Sequence, residues 1–175
     1  MTTTLIVIVL IVAAVLIAAM FAGKEMNIER KVLIDKPLNE VFDYLKFVRN
    51  QDHFSVWNMT DPNMNKYYKG TDGEVGYVYS WDSPTNKNVG AGEQEILSIE
   101  EGKNIQYEVR FSRPMKNVAK SGFVFEKVSE NQTHVLWGFY SPAKFPMNVM
   151  KGVMEKMLGK DLEKSLGNLK NVLEK

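Results

Sequence analysis

Cysteine is absent from the chain, which excludes disulfides, thiolate chemistry and cysteine-ligated zinc, and is compatible with a reducing compartment. Histidine is nearly absent too: His53 and His134 are the whole supply, too few for a histidine-rich metal centre. Charge of one sign is missing as a bulk property. The 22 basic and 21 acidic side chains leave a net charge of +1, with no long run of either sign, so the electrostatic footprint of nucleic-acid binding is lacking. No glycine-rich phosphate loop, nucleophile elbow, internal repeat or low-complexity tract occurs. No metal, cofactor or nucleic-acid partner is therefore expected.

The most informative absence is local. Residues 1–23 carry no charged side chain, and Leu5 to Ala22 is an unbroken run of Leu, Ile, Val, Ala, Met and Phe. A helix of 18 such residues spans roughly 27 Å, close to the roughly 30 Å hydrocarbon thickness of a bilayer. Twelve of them are Leu, Ile, Val or Phe, and their summed insertion free energy is on the order of 4 to 7 kcal/mol. A cleaved secretory signal, the rival reading, needs a basic leading segment and a small-x-small cleavage site. Thr2, Thr3 and Thr4 supply no charge, and cleavage after Ala22 would put bulky Met20 where a small residue belongs. The expectation is a single-pass anchor over residues 1–23, contacting the membrane through residues 5–22, and one domain over residues 24–175. Lys24, Arg30 and Lys31 flank only the C-terminal side of the run, which predicts a cytoplasmic domain. The few residues between Gly23 and the first periodic segment hold it close to the headgroups.

About 150 residues remain, enough for one domain with a real core. Met26, Ile28, Val32 and Ile34 alternate with polar neighbours as a half-buried strand, interrupted on its apolar side by Arg30. Pro37 opens a short amphipathic helix through Leu38, Val41, Phe42 and Leu45, and a second short helix or turn carries Val48, Phe54 and Trp57. Strand alternation then recurs: weakly at Met64–Lys69, clearly at Gly76–Asp82, Ala91–Ile99, Ile105–Phe111, Ser121–Phe125 and Val135–Phe139. Gly90-Ala91-Gly92 predicts a bulge or close backbone approach. From Val149 to Leu173 a helical period runs unbroken, with Gly152, Gly159 and Gly167 inside it predicting a bend or a close contact with the sheet.

This order, together with Ile34-Asp35-Lys36-Pro37, Val41-Phe42-Asp43-Tyr44-Leu45, Asp61-Pro62-Asn63-Met64 and Gly76-Tyr77-Val78-Tyr79-Ser80-Trp81, resembles the START-like or SRPBCC superfamily, in particular its polyketide cyclase and dehydratase-like branch. Further on, Gly90-Ala91-Gly92, Phe111-Ser112-Arg113-Pro114-Met115, Thr133-His134-Val135-Leu136-Trp137 and the ending Gly159 to Lys170 carry the same resemblance. It implies an α+β helix-grip fold: a curved antiparallel sheet of about seven strands around a long C-terminal helix, enclosing a pocket for a lipid-like or other small apolar molecule. It does not imply a reaction, since fold and function separate in such superfamilies.

On strand parity the face turned toward the last helix holds Tyr79, Trp81, Gln94, Tyr107, Phe111, Phe123, Trp137 and Phe139, with Ile96 and Val109 between them. Met150, Val153 and Met154 are expected to close it. Taken singly, each reads as core packing, and the resemblance is what makes them a ligand-binding wall. Gln94 stands out, because an amide on an apolar face needs partners or costs about 1 to 3 kcal/mol. No carboxylate or histidine pair falls inside on this parity, so no catalytic residue is assigned; His134, Arg110 and Glu108 point outward. The leading expectation is a membrane-anchored binding or transfer domain for a lipid or other hydrophobic small molecule. The alternatives are a cyclase or dehydratase-type enzyme that orients a polyketide-like substrate through Tyr79, Tyr107 or Gln94, and a protein-interaction adaptor with a filled core and an exposed apolar patch. The turns Arg113-Pro114-Met115 and Phe145-Pro146-Met147 are candidate gates.

Overall fold

Seven stretches of apolar–polar alternation become strands: β1 (Glu25–Ile34), β2 (Asn65–Lys69), β3 (Val78–Asp82), β4 (Ala91–Glu100), β5 (Asn104–Arg113), β6 (Asn117–Ser129) and β7 (Gln132–Pro142). In the computed structural model, which describes residues 2–175, they form one curved antiparallel sheet ordered β1-β7-β6-β5-β4-β3-β2. Hairpin neighbours in sequence are therefore neighbours in space, and only β1 crosses over, to pair with the last strand. Four helices accompany the sheet: α1 (Thr2–Phe21), α2 (Leu38–Lys46), α3 (Val56–Thr60) and α4 (Lys151–Leu173), with 3-10 turns at Val48–His53 and Met147–Met150.

The concave face is the core. Ile28 and Ile34 of β1, Ile96 of β4, Ile105 and Tyr107 of β5, Phe123 of β6 and Val135 of β7 are buried against Val41, Phe42 and Leu45 of α2 and against Phe54. Leu162, Leu166 and Leu169 of α4 lie on the same side and are at most 2% exposed. Burial of each such leucine is worth about 1.5 to 3 kcal/mol, an appreciable part of what a domain of this size has in total. The opposite face is polar: Arg110 on β5 is gripped by Glu93, Glu95 and Glu108 at 2.6 to 2.7 Å, which pairs the outward groups across strands.

Three features differ from the sequence pattern. Pro37 precedes the first turn of α2, which begins at Leu38. The final helical period divides: Met147–Met150 is a 3-10 turn, and the α-helix starts at Lys151. Of the glycines in α4, Gly159 makes the expected close contact, under the Arg30 guanidinium, whereas Gly152 and Gly167 face open space.

Full burial along α4 begins at Gly159 and runs through Leu169. Val153 and Met157 are 66% and 56% exposed, while Leu162 is fully covered. Leu162→Ala is expected to cost about 2 to 5 kcal/mol in urea unfolding of the full chain in mild detergent, against no more than about 0.5 kcal/mol for Val153→Ala. Equal losses at the two positions would contradict this division.

Candidate ligand-binding site

The site is built on β3, β4 and β5. Tyr79 and Gln94 are register partners, and Trp81 stands opposite Gly92. The Trp81 indole lies across that glycine: a Cβ there would fall 2.7 Å from the ring and 2.6 Å from the Arg110 carbonyl. A register shift between Ala91 and Gly92 opens the space, and Gly90 takes φ +63° hard against the Arg113 carbonyl, so the bulge predicted at Gly90-Ala91-Gly92 is present. The indole Nε1 then donates to the Val89 carbonyl at 3.2 Å.

From this point the aromatic rings run in two directions. Toward the open end, Tyr79 stacks on Trp81 at 6.0 Å, Trp81 meets the edge of Phe111 at 5.9 Å, and Phe111 meets Phe139 at 6.4 Å. Toward the deep end, Tyr107, Phe123 and Trp137 follow at 6.1 and 4.8 Å, and Phe54 packs on both Phe123 and Trp137. The eight predicted strand residues thus share one face, but Phe42 and Phe54 fill its deep half. Trp81, Phe111 and Phe139 remain half-buried at the open end, where Met154 also packs against the core.

Met150 and Val153 do not close this wall. Met150 is 45% exposed because it ends the 3-10 turn, whose tighter winding takes it off the stripe that continues as Met154, Leu158 and Leu162. Val153 precedes Met154 by one residue and so points about 100° away from it. A depression of about 360 Å³ opens at the rim between Phe111, Lys116, Val118, Pro142 and Lys144. Another, of about 230 Å³, lies on the convex side over Gly122 and Gly138.

Four polar atoms on the concave side are buried without a hydrogen-bond partner: Tyr79 Oη, Gln94 Nε2, Tyr107 Oη and Gln51 Nε2. Gln51 comes from the Val48–His53 turn, is 3% exposed and lies near Tyr107. Sequence reasoning missed it, although an amide inside the apolar period Val48–Phe54 is the same signal that singled out Gln94. Burial pushes the Tyr79 phenol well above its usual range, with the negative Asp52 adding to the effect; burial does the same to Tyr107, aided by Asp72 and opposed by Gln51. Asp52 is itself held by Lys66 and Asn58 at 2.8 Å each. The interior groups are therefore protonated hydrogen-bond donors at neutral pH. His53 is exposed beside Tyr44, and His134 faces outward toward Glu126. Among the described residues no cluster of three His, Cys, Asp or Glu is arranged to hold a metal.

A curved sheet, a gripped terminal helix and a ring-lined concave face define a helix-grip domain. The chain belongs to the family described as polyketide cyclase / dehydrase and lipid transport, whose model matches residues 25–174. Similar solved structures include norcoclaurine synthase from Thalictrum flavum in complex with dopamine and hydroxybenzaldehyde, at TM-score 0.64 and 8% identity over 90% of each chain. The Aha1 dimer from Colwellia psychrerythraea superposes at 0.57 with 17% identity, over 85% of this chain and 96% of that one. A structural-genomics protein from Chromobacterium violaceum gives 0.60 with 13% identity, over 86% and 99%. At these identities the likeness is one of fold. No curated protein matches the sequence.

The raised phenols have a consequence for alkaline stability. The unfolded chain loses these protons near pH 10 and the folded one does not, so stability is complete below pH 10 and falls as pH rises beyond it. Denaturant unfolding between pH 9 and about 11 should show this decline, and Tyr107→Phe should flatten it. An unchanged slope in the variant would mean that Tyr107 titrates like a free phenol.

Proposed function

We propose that this protein is a membrane-tethered domain that binds or transfers a lipid or other hydrophobic small molecule, taken up at the open end of the concave face. The observation that carries the reading is the register pair Tyr79 and Gln94, whose Oη and Nε2 are buried without a partner on an otherwise aromatic surface. Each unsatisfied group costs about 1 to 3 kcal/mol, a cost that polar atoms of a mostly apolar ligand, or water, would remove. The half-buried Trp81, Phe111, Phe139 and Met154 supply apolar contact beside them, and Met154 lends adaptability to ligand shape.

The tether is supported by Thr3–Phe21, a helix of 19 residues with mean hydropathy 3.2. Its basic C-terminal flank of Lys24, Arg30 and Lys31 favours a cytoplasmic domain. For an enzyme acting on a polyketide-like substrate, Tyr79 and Tyr107 would serve as donors that polarise a carbonyl, while their raised pKa leaves almost no phenolate at neutral pH to act as a base. The adaptor reading draws support from the filled deep half of the core and from exposed apolar side chains on α4.

Titration of the full chain in detergent with the fluorescent fatty acid cis-parinaric acid tests a binding site against the adaptor reading. Saturable binding is expected, weakened about 5- to 30-fold by Gln94→Leu and abolished by Met154→Trp, the first figure corresponding to one lost hydrogen bond of about 1 to 2 kcal/mol. Absence of saturable binding, or binding indifferent to both substitutions, would overturn the proposal in favour of the adaptor.

A further inference from the structure

The end of α1 is fastened to the rim of the domain. The side-chain amide of Asn148, in the Met147–Met150 turn, donates to the Ala19 carbonyl at 2.7 Å and to the Ala22 carbonyl at 3.2 Å. The first is a last-turn carbonyl that a helix leaves without an intrahelical partner, and the second lies one residue beyond the helix end. Asn148 is 2% exposed and Ala19 is 1% exposed, so the contact is shielded from solvent. Only Ala22, Gly23 and Lys24 separate α1 from β1, and the Lys24 carbonyl accepts from the Ala143 amide at 2.8 Å, which fastens the connection a second time.

Around this clamp lie Phe145, Met147, Val149, Met150, Val153 and Met157, each between 41% and 66% exposed. A patch of this kind on a domain surface calls for a partner. Its position names one. Ala19 lies two residues before the end of α1, roughly 3 Å below it along the axis, so the turn that holds Ala19 sits at the depth where a spanning helix leaves the hydrocarbon. Lys24, Lys144 and Lys156, all exposed, surround the same rim, the arrangement that suits anionic headgroups.

We infer that the Met147–Met150 turn and the first two turns of α4 form a membrane-insertion face, seated in the interface of the bilayer that α1 crosses and held at that depth by Asn148. The ring-lined open end then faces lipid. This inference rests on the tethered reading of the preceding subsection, and adds to it which face of the domain meets the membrane.

A chain without cysteine permits single reporters. Val9→Cys in α1, Val153→Cys on the patch and Val128→Cys at the far end of β6 are each labelled with bimane, and the full-length protein is placed in nanodiscs of phosphatidylcholine and phosphatidylglycerol containing nitroxide-labelled lipid. Quenching is expected at Val9→Cys and Val153→Cys, and at least about twofold less at Val128→Cys, since an interfacial face sits about 5 to 10 Å into the bilayer boundary. Adding Asn148→Ala should lower quenching at Val153→Cys toward the Val128→Cys level and leave Val9→Cys unchanged. Quenching at Val9→Cys alone would overturn this inference while the tether stands, and so would a patch reporter that is shielded by a second copy but not quenched by lipid. Absence of quenching at Val9→Cys would overturn the tether and this inference together. Indifference of Val153→Cys to Asn148→Ala would overturn the role of the clamp.

Discussion

The structure depends on one helix being longer than the surface that grips it. The apolar stripe of α4 enters the curved sheet through Leu162, Leu166 and Leu169, which burial holds firmly, and then runs out past the open end of the sheet. Where the stripe is covered, the fold gains its stability. Where it is not, Met154 and Leu158 remain half-buried over the concave face, and the helix continues into a turn that reaches the end of α1. The division of α4 thus places a stable core and a half-buried rim on one helix, and the turn that leads into it fastens the N-terminal helix.

Chemistry in the concave face follows from the same division. Phe42 and Phe54 pack the deep end, so Tyr107, Phe123 and Trp137 serve mainly as core, and the accessible apolar surface is that of Trp81, Phe111 and Phe139. The two interior tyrosines are protonated at neutral pH, as ordinary phenols are, and burial raises their pKa further, so the face carries hydrogen-bond donors. Such a surface suits an apolar molecule with a carbonyl, carboxylate or hydroxyl better than it suits proton abstraction. Family membership is compatible with binding and with catalysis alike.

Most of the sheet was legible because one face of each strand is buried and the other is solvated, so the period of two is written plainly from Tyr77 to Phe139. The Gly90-Ala91-Gly92 bulge was legible for a steric reason, since a side chain at either glycine collides with β5 or with Trp81. Met150 falls off the wall because a helical period continues through a 3-10 turn in sequence but not in space, and Val153 because it points away from the face that its neighbour Met154 presents. Asn148 was illegible as a functional group for a different reason: its environment comes from Ala19, far along the chain. No local pattern records such contacts.

Native mass spectrometry of the full-length chain released from membrane nanodiscs tests the central claim most directly. One apolar molecule bound per chain is predicted, retained in Val153→Ala and lost in Met154→Trp, because only the second substitution fills the half-buried end of the concave face. A wild-type chain that carries no such molecule, even when the nanodiscs are rich in lipid, or a Met154→Trp variant that carries it undiminished, would contradict the account.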